Sequence, residues 1–511
     1  MVAKVKTFAF AGVDVVDVDV QVKISSSGNA SFTIVGLPDK AVGESKERVR
    51  AAIASLGLAL PYNRITVNLA PADLLKEGSH FDLAIALGLL IELDALKQED
   101  INGYYALGEL SLDGTITQIN GVLSAAIGAS ERGAGIICPA ICGQEAAWAG
   151  DISTLSILAP KNLLSLINHF KGTQILSQPT PNTEKQIFSY PDLSDIKGQE
   201  TAKRALEIAA AGGHNTLMIG PPGTGKSMLA SRLPGLIPGL DLKEMLEINM
   251  IHSISGRITD GKLIWQRPFR DPHHSCSMPA MVGGGSRAKP GEISLAHNGI
   301  LFLDELAEFP RQVLDSLRQP IENGNITISR VLSHINYPAN FQLVAAMNPC
   351  RCGYLSDQNK ACNKAPVCGR DYQAKISGPL MDRMDIVIEV PQIDIFEDHA
   401  PDRESTATVA RRVARARDIQ KQRYEKEDLM AKDTLKLNSK ANGKVLEKYT
   451  EIDAASQKIL KSTIEKMGIS IRGYNRILRV ARTIADLDEA ANISQSHLME
   501  AIGYRRGFIA M

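Results

Sequence analysis

Gly220-Pro221-Pro222-Gly223-Thr224-Gly225-Lys226-Ser227 satisfies the whole G-x-x-x-x-G-K-[ST] pattern, and its flanks fit that pattern's setting. Thr216-Leu217-Met218-Ile219 before it reads as a buried strand, and Met228 to Leu233 after it as the start of a helix. That order aims a helix N-terminus at an anion. Glycines at 220, 223 and 225 let backbone N–H groups close on dense negative charge with no Cβ in the way. Lys226 is then placed to reach the β- and γ-phosphates, and the Ser227 hydroxyl to ligate Mg²⁺. All eight residues, Gly220, Pro221, Pro222, Gly223, Thr224, Gly225, Lys226 and Ser227, are therefore expected to cradle a nucleoside triphosphate in an α/β fold.

Downstream motifs supply the rest of a phosphoryl-transfer site. Gly299-Ile300-Leu301-Phe302-Leu303-Asp304-Glu305 is a short apolar strand ending in two carboxylates, at the end where open α/β sheets hold ligands. Asp304 is expected to hold Mg²⁺ with Ser227, and Glu305 to orient and deprotonate the attacking water; the alternative is a solvated acidic pair. Phe341 to Met347 is another buried strand, and Asn348 at its end suits a hydrogen bond to the γ-phosphate or the lytic water, or else begins a turn before Pro349. Arg383 precedes the strand Ile386-Val387-Ile388-Glu389-Val390. Its guanidinium suits a transferring phosphoryl group, as a finger acting on a neighbouring subunit, unless it makes only a surface ion pair. Ser470 to Arg476 opens a helix whose Arg472 is a candidate to close over the phosphates, with Arg476 one turn on as the competitor.

Composition bounds the remainder. A chain of 511 residues with 44% hydrophobic residues exceeds one core, so several domains are expected. Lys+Arg and Asp+Glu are equal at 57 each, so no global basic field advertises nucleic acid, and a polyanion would have to be met by local loops. No apolar run is long enough to cross a bilayer, and Met1 to Lys6 leads into alternating sequence instead of a signal peptide, which predicts a cytoplasmic protein with no membrane partner.

Residues 1–172 are rich in Gly, Ala and Val, residues 173–191 have a polar, Pro-containing linker character, and residues 192–400 carry the nucleotide motifs. Residues 401–511 are helical by pattern, with a basic run of Arg411, Arg412, Arg415, Arg417, Lys421 and Arg423. Val13 to Ile24 alternates as an edge or half-exposed strand, Phe32 to Val35 and Ile65 to Leu69 read as further strands, and Val49, Ala52, Ile53 and Leu56 carry helical spacing.

The ordered motifs resemble the AAA+ ATPases. Three further segments, Pro268-Phe269-Arg270-Asp271-Pro272-His273-His274-Ser275, Met281 to Gly285 and Pro290 to His297, narrow the likeness. With Leu301 to Phe309 they resemble the magnesium-chelatase-like ATPases of the ComM/YifB family, over nearly the whole chain. The resemblance implies an AAA+ P-loop core with a helical lid, ATP and Mg²⁺ as cofactors, and a homohexamer. It also implies DNA as partner, ComM-type members being helicases that promote branch migration during natural transformation. A chelatase-type motor that remodels a protein for metal insertion is the other reading. By the same resemblance, a helix-2 insert precedes the Asp-Glu strand and Glu322 to Arg330 begins a hairpin pointing into the ring pore, with Arg330 a candidate phosphate contact. Adjacent histidines on an extended segment point to opposite faces, so packing or pore-loop roles are expected of His273 and His274 before metal binding.

The N-terminal region resembles an α+β Lon-protease/ribosomal-S5-like domain. His80 stands where such proteases keep the nucleophile and Leu123 where they keep the lysine, so proteolysis is not expected; Ser79 is the only neighbour able to restore it.

Cys350, Cys352, Cys362 and Cys368 put four soft ligands within nineteen residues, among loop-forming Gly353, Asp357, Asn359, Asn363 and Pro366. Four thiolates suit tetrahedral Zn²⁺; reduced free thiols are the alternative.

Overall fold

The computed structural model describes residues 2–26, 29–150, 153–184, 189–285, 288–329, 334–355, 362–393, 403–427 and 437–505. The alternating N-terminal segments pair into a seven-stranded mixed sheet. In chain order its strands are β1 (Ala3–Ala11), β2 (Asp14–Ser25), β3 (Ser31–Val35), β4 (Arg64–Ala70), β5 (Tyr104–Ala106), β6 (Gly135–Ile137) and β7 (Ile157–Leu158). They lie side by side as β3-β4-β2-β1-β5-β6-β7. The β2 strand is not at an edge, since it pairs with β1 on one side and β4 on the other. It is the half-exposed strand of the two readings: Val18, Val20 and Val22 are wholly buried on one face while Asp17 and Asp19 stay exposed on the other. Helix α1 (Lys40–Ser55) starts at Asp39, whose carboxylate accepts from the Val42 N–H at 2.7 Å, and buries Val49, Ala52 and Ile53 on the face the spacing predicts. The very apolar α2 (Asp82–Glu92) packs on β1 and β2.

The second sheet has five strands, all parallel: β8 (Thr216–Ile219), β9 (Phe269–Arg270), β10 (Ile300–Leu303), β11 (Gln342–Met347) and β12 (Ile386–Glu389), in the order β9-β10-β11-β8-β12. Both faces are covered, so β8, β10 and β11 are buried along their whole length. Thr216 pairs with both Val344 and Ile386. All strand ends that carry motifs therefore emerge on one side, whereas residues preceding β12 lie at the opposite end of the sheet. A two-stranded hairpin, Asn325–Ser329 against His334–Pro338, stands before β11. Arg330 lies outside the described residues.

Helix α3 (Glu200–Gly212) precedes β8, α4 (Lys226–Leu236) follows the phosphate-type loop, and α5 (Leu242–Ile254) comes next. The C-terminal part is helical, with α6 (Thr406–Tyr424), α7 (Ile471–Leu487) and α8 (Gln495–Gly503) packed with α3 in one apolar cluster. The basic run on α6 is largely used inside the molecule. Arg412 pairs with Glu404 at 2.6 Å and Glu207 at 2.5 Å, Arg415 pairs with Glu489 at 2.9 Å, and Arg423 pairs with Asp486. Arg417 donates to the Ala210 carbonyl at 2.6 and 2.9 Å; burial, then the like charge of Arg267, pushes it down to about 9.

The N-terminal sheet is fastened to the second one. Leu123 packs with Met245, Ile258 and Leu263, and Trp148 meets Trp265 edge to face with ring centroids 5.3 Å apart. The Ser253 hydroxyl donates to Glu145, the Gly121 N–H to the Ser253 carbonyl at 3.2 Å, and Lys262 pairs with Glu184 at 2.8 Å.

Candidate active site

Where β8 leaves the sheet the chain passes Val390 so closely that a Cβ on Gly220 would lie 2.2 Å from the Val390 carbonyl oxygen. Only glycine fits there. The Gly220 N–H donates to the Met347 carbonyl at 3.2 Å, and Gly223 and Gly225 take φ values of 77° and 85° to wind the loop into α4. Lys226 is the first residue of that helix and is 8% exposed. Its Nζ donates to the carbonyls of Gly220 and Pro221, each at 2.8 Å, and to Asn348 Oδ1 at 3.3 Å. One cation thus ties the loop to the end of β11. Burial lowers the Lys226 pKa, against the charges of Asp304 and Glu305, which favour the ammonium.

Ser227 Oγ donates to Asp304 Oδ2 at 2.6 Å, and Asp304 Oδ1 accepts the Glu305 N–H at 2.9 Å. A hydroxyl and a carboxylate side by side at the helix start are hard oxygen donors of the kind Mg²⁺ takes. Asp271 belongs to the same corner. Its carboxyl pKa is raised by burial and then by the Asp304 charge, which places a third carboxylate within electrostatic reach of the pair. Glu305 has a φ of 54°, an uncommon conformation for a side-chain-bearing residue. Its carboxylate meets His274, with Nδ1 to Oε2 at 3.2 Å.

The histidine pair thereby acquires a different character from the one expected. The segment turns at His274, so the two rings lie 4.0 Å apart and tilted by 34°, on the same side instead of opposite faces. Among the described residues neither histidine belongs to a metal-ligand cluster; that geometry occurs at Cys350, Cys352 and Cys368.

The structure thus brings together Lys226, Ser227, Asp304, Glu305 and Asn348. Arg383 and Arg472 are elsewhere. Arg383 precedes β12, at the opposite end of the sheet from the loop, and is 6% exposed. It pairs with Glu322 at 2.5 Å and donates to the carbonyls of Pro379 at 2.6 Å and Arg318 at 3.2 Å. Arg476 donates to the Arg383 carbonyl at 2.9 Å and pairs with Asp385 at 2.6 Å. Exposed Arg472, one turn earlier on α7, lies at that same end.

Family models for the magnesium chelatase subunit ChlI match residues 192–397, that subunit's C-terminal part matches 403–505, and a further ChlI model matches 20–141. A Salmonella typhimurium protein named YifB is 44% identical over 98% of this chain and 97% of its own length. The competence protein ComM of Haemophilus influenzae is 42% identical over 94% of this chain and 93% of its own. The chain belongs to the ComM/YifB family of magnesium-chelatase-like AAA+ ATPases. The magnesium-chelatase 38 kDa subunit of Rhodobacter capsulatus is a more distant relative, 28% identical over 34% of this chain and 54% of its own length.

In this ComM/YifB protein the protease-like positions of the N-terminal sheet have other occupations. His80 is buried, its Nε2 lies 2.9 Å from the Phe8 carbonyl, and burial pushes its pKa down to about 4. Leu123 is wholly buried against α5. The Ser79 hydroxyl donates to Glu109, a carboxylate and not an amine.

Proposed function

We propose that this protein is an ATP-hydrolysing motor that acts on branched or single-stranded DNA as a homohexamer, in the uptake and recombination of DNA that a competence protein serves. The supporting observation is the assembled corner itself, Ser227 on Asp304 at 2.6 Å with Lys226 and Asn348 joined at 3.3 Å, in a chain that matches a competence protein over nearly its full length. Lys226, Ser227 and Asp304 would hold the nucleotide and Mg²⁺, with Asp271 adding charge. Bound Mg²⁺ supplies charge neutralisation at the transferring phosphoryl group. Glu305 accepts the proton of the attacking water, and Asn348 positions the γ-phosphate side.

Arg383 and Arg472, at the other end of the sheet from their own loop, would serve the phosphates of a neighbouring subunit. Arg383 must then leave Glu322. The N-terminal unit 1–172, linker 173–191, core 192–400 and lid 401–511 are the parts of this motor. A chelatase-type motor acting on a protein partner is the second reading, favoured by the ChlI family models. Against it, the chelatase subunit covers about a third of this chain, 34%.

The reading is tested by ATP turnover with and without forked DNA at two salt concentrations, with Lys226→Ala as the inactive control. DNA should raise turnover, and its affinity should fall steeply with salt because phosphate contacts release counterions. Normal basal turnover with no DNA binding would sink the DNA motor and leave the protein-remodelling one.

His274 enters the same scheme as a positioning residue. His274→Ala frees the Glu305 carboxylate and should lower kcat about tenfold with little change in KM, the pattern of a group that matters only in the transition state. His274→Gln, which keeps a hydrogen-bond donor, should recover part of it. Equal kcat in all three proteins would remove His274 from the mechanism.

A further inference from the structure

Four thiols meet one another beside the nucleotide loop. Cys350 and Cys352 have sulfurs 3.1 Å apart, and Cys362 and Cys368 3.3 Å apart. The sulfurs of Cys350, Cys352 and Cys368 all lie within 4.8 Å of one another, and Cys362 is also in side-chain contact with Cys352. These cysteines do not behave as ordinary small hydrophobes. Cys138 and Cys142 do, sitting inside an apolar cluster under the N-terminal sheet, where burial pushes the Cys142 thiol up to about 12. The four between 350 and 368 belong to no such cluster among the described residues, and Cys352, Cys362 and Cys368 are only half-buried. Their convergence needs another cause. A zinc ion with Zn–S bonds of about 2.3 Å sets its four sulfurs about 3.8 Å apart, so the observed spacings need shift by less than about an ångström.

The placement of this cluster gives it a task. Cys350 follows Asn348 by two residues, and Cys368 lies on the short helix Val367–Gln373, whose Gln373 side chain donates to the Pro349 carbonyl at 3.0 Å. Between them, Gly353 at φ 85° rests directly on the phosphate-type loop: a Cβ there would lie 2.5 Å from Pro222 Cδ. The cysteine loop thus presses its backbone on one side of the nucleotide loop and carries the Asn348 amide on the other. Its described residues before that helix, 349–355 and 362–366, belong to no helix or strand.

We propose that Cys350, Cys352, Cys362 and Cys368 bind one zinc ion as a closed four-thiolate site, and that this ion holds Asn348 and the Pro222 side of the loop in register for nucleotide. The coupling rests on the reading of the loop as an ATP site, whereas the metal site stands without it. A closed thiolate site leaves no open coordination position, so the ion's role is to cross-link.

The test uses full-length protein purified without a His tag from zinc-supplemented cells, with metal read by elemental mass spectrometry. About one zinc per chain is expected, as one four-ligand site requires. Cys352→Ser and Cys368→Ser should each lose most of it, while Cys276→Ser should keep it. Wild-type protein that carries no zinc, before or after incubation with the ion, or that shows disulfide-linked cysteines by intact mass, would overturn the site. Full zinc in the Cys352→Ser/Cys368→Ser double variant would do the same. For the coupling, wild-type protein is stripped with a thiol-directed mercurial and chelator, then reloaded. Affinity for a fluorescent ATP analogue should fall about tenfold on stripping and return on reloading, the scale on which outer-shell support of a bound group is felt. Unchanged affinity would overturn the coupling. Neither measurement uses DNA, so failure of the motor reading leaves both intact.

Discussion

Glu305→Gln is expected to abolish ATP turnover while leaving ATP binding intact. The substitution keeps the size of the side chain and a hydrogen-bonding contact to His274 but removes the carboxylate that His274 holds beside the Ser227–Asp304 pair. A positioned base contributes about 10²- to 10⁴-fold, so turnover should fall by at least about a hundredfold. Binding should hold because Lys226, Ser227 and the loop N–H groups are untouched. Phosphate release under saturating ATP, alongside equilibrium binding of a fluorescent analogue, separates the two effects. A variant that keeps more than about a tenth of wild-type turnover would return Glu305 to the status of a solvated acid and shift attention to Asp271.

The second large effect concerns stability at the other end of the sheet. Asp385 is 3% exposed, pairs with Arg476 at 2.6 Å and accepts the Asn215 N–H at 3.0 Å. Burial works to raise its pKa, but Arg476, then His214 and Arg479, hold it well below the usual carboxylate range. Asp385→Ala leaves the largely buried Arg476 without its counter-charge, and removing one partner of a buried pair costs about 3–5 kcal/mol. Chemical denaturation should report that loss. In the Asp385→Ala/Arg476→Met double variant part of it should return, because no uncompensated charge is left. The pH dependence has a fixed sign. A carboxylate depressed in the folded state stabilises above its unfolded pKa of about 3.9, and this contribution disappears as pH falls below that value. The gap between wild type and Asp385→Asn should therefore be full at pH 7 and shrink below about pH 4. A gap that does not change with pH would mean the carboxylate's charge is not what holds α7 to the core.

The parts of this molecule legible in the sequence are those whose signal is local. Strand, glycine turn and helix start at 216–233 are contiguous, and Asp304, Glu305 and Asn348 follow short apolar runs of strand length. What escaped depends on distant residues. His274 and Glu305 are separated by a whole insertion and meet only because β9 lies beside β10 in the sheet. Nothing in the sequence around Asp271 marks the Asp304 charge that it faces in the fold. The alternation in β2 gave burial of one face but not the strand's place in the sheet, since an interior strand with one solvent face has the same period as an edge. The arginine run on α6 looks like a solvated stripe in one dimension, because most of its acidic partners, Glu207, Asp486 and Glu489, are far away in sequence and only Glu404 is near.

The Trp148–Trp265 contact also shortens the path between the two halves of the molecule. Trp265 and His274 belong to one stretch of chain nine residues apart, the first packed edge to face on Trp148 and the second set against the Glu305 carboxylate. The N-terminal part and the corner around Ser227 and Asp304 are therefore neighbours along the chain as well as in space. With Leu123 packed on Met245 in the same clamp, the position where a protease would carry its lysine serves here as a seam between the two sheets.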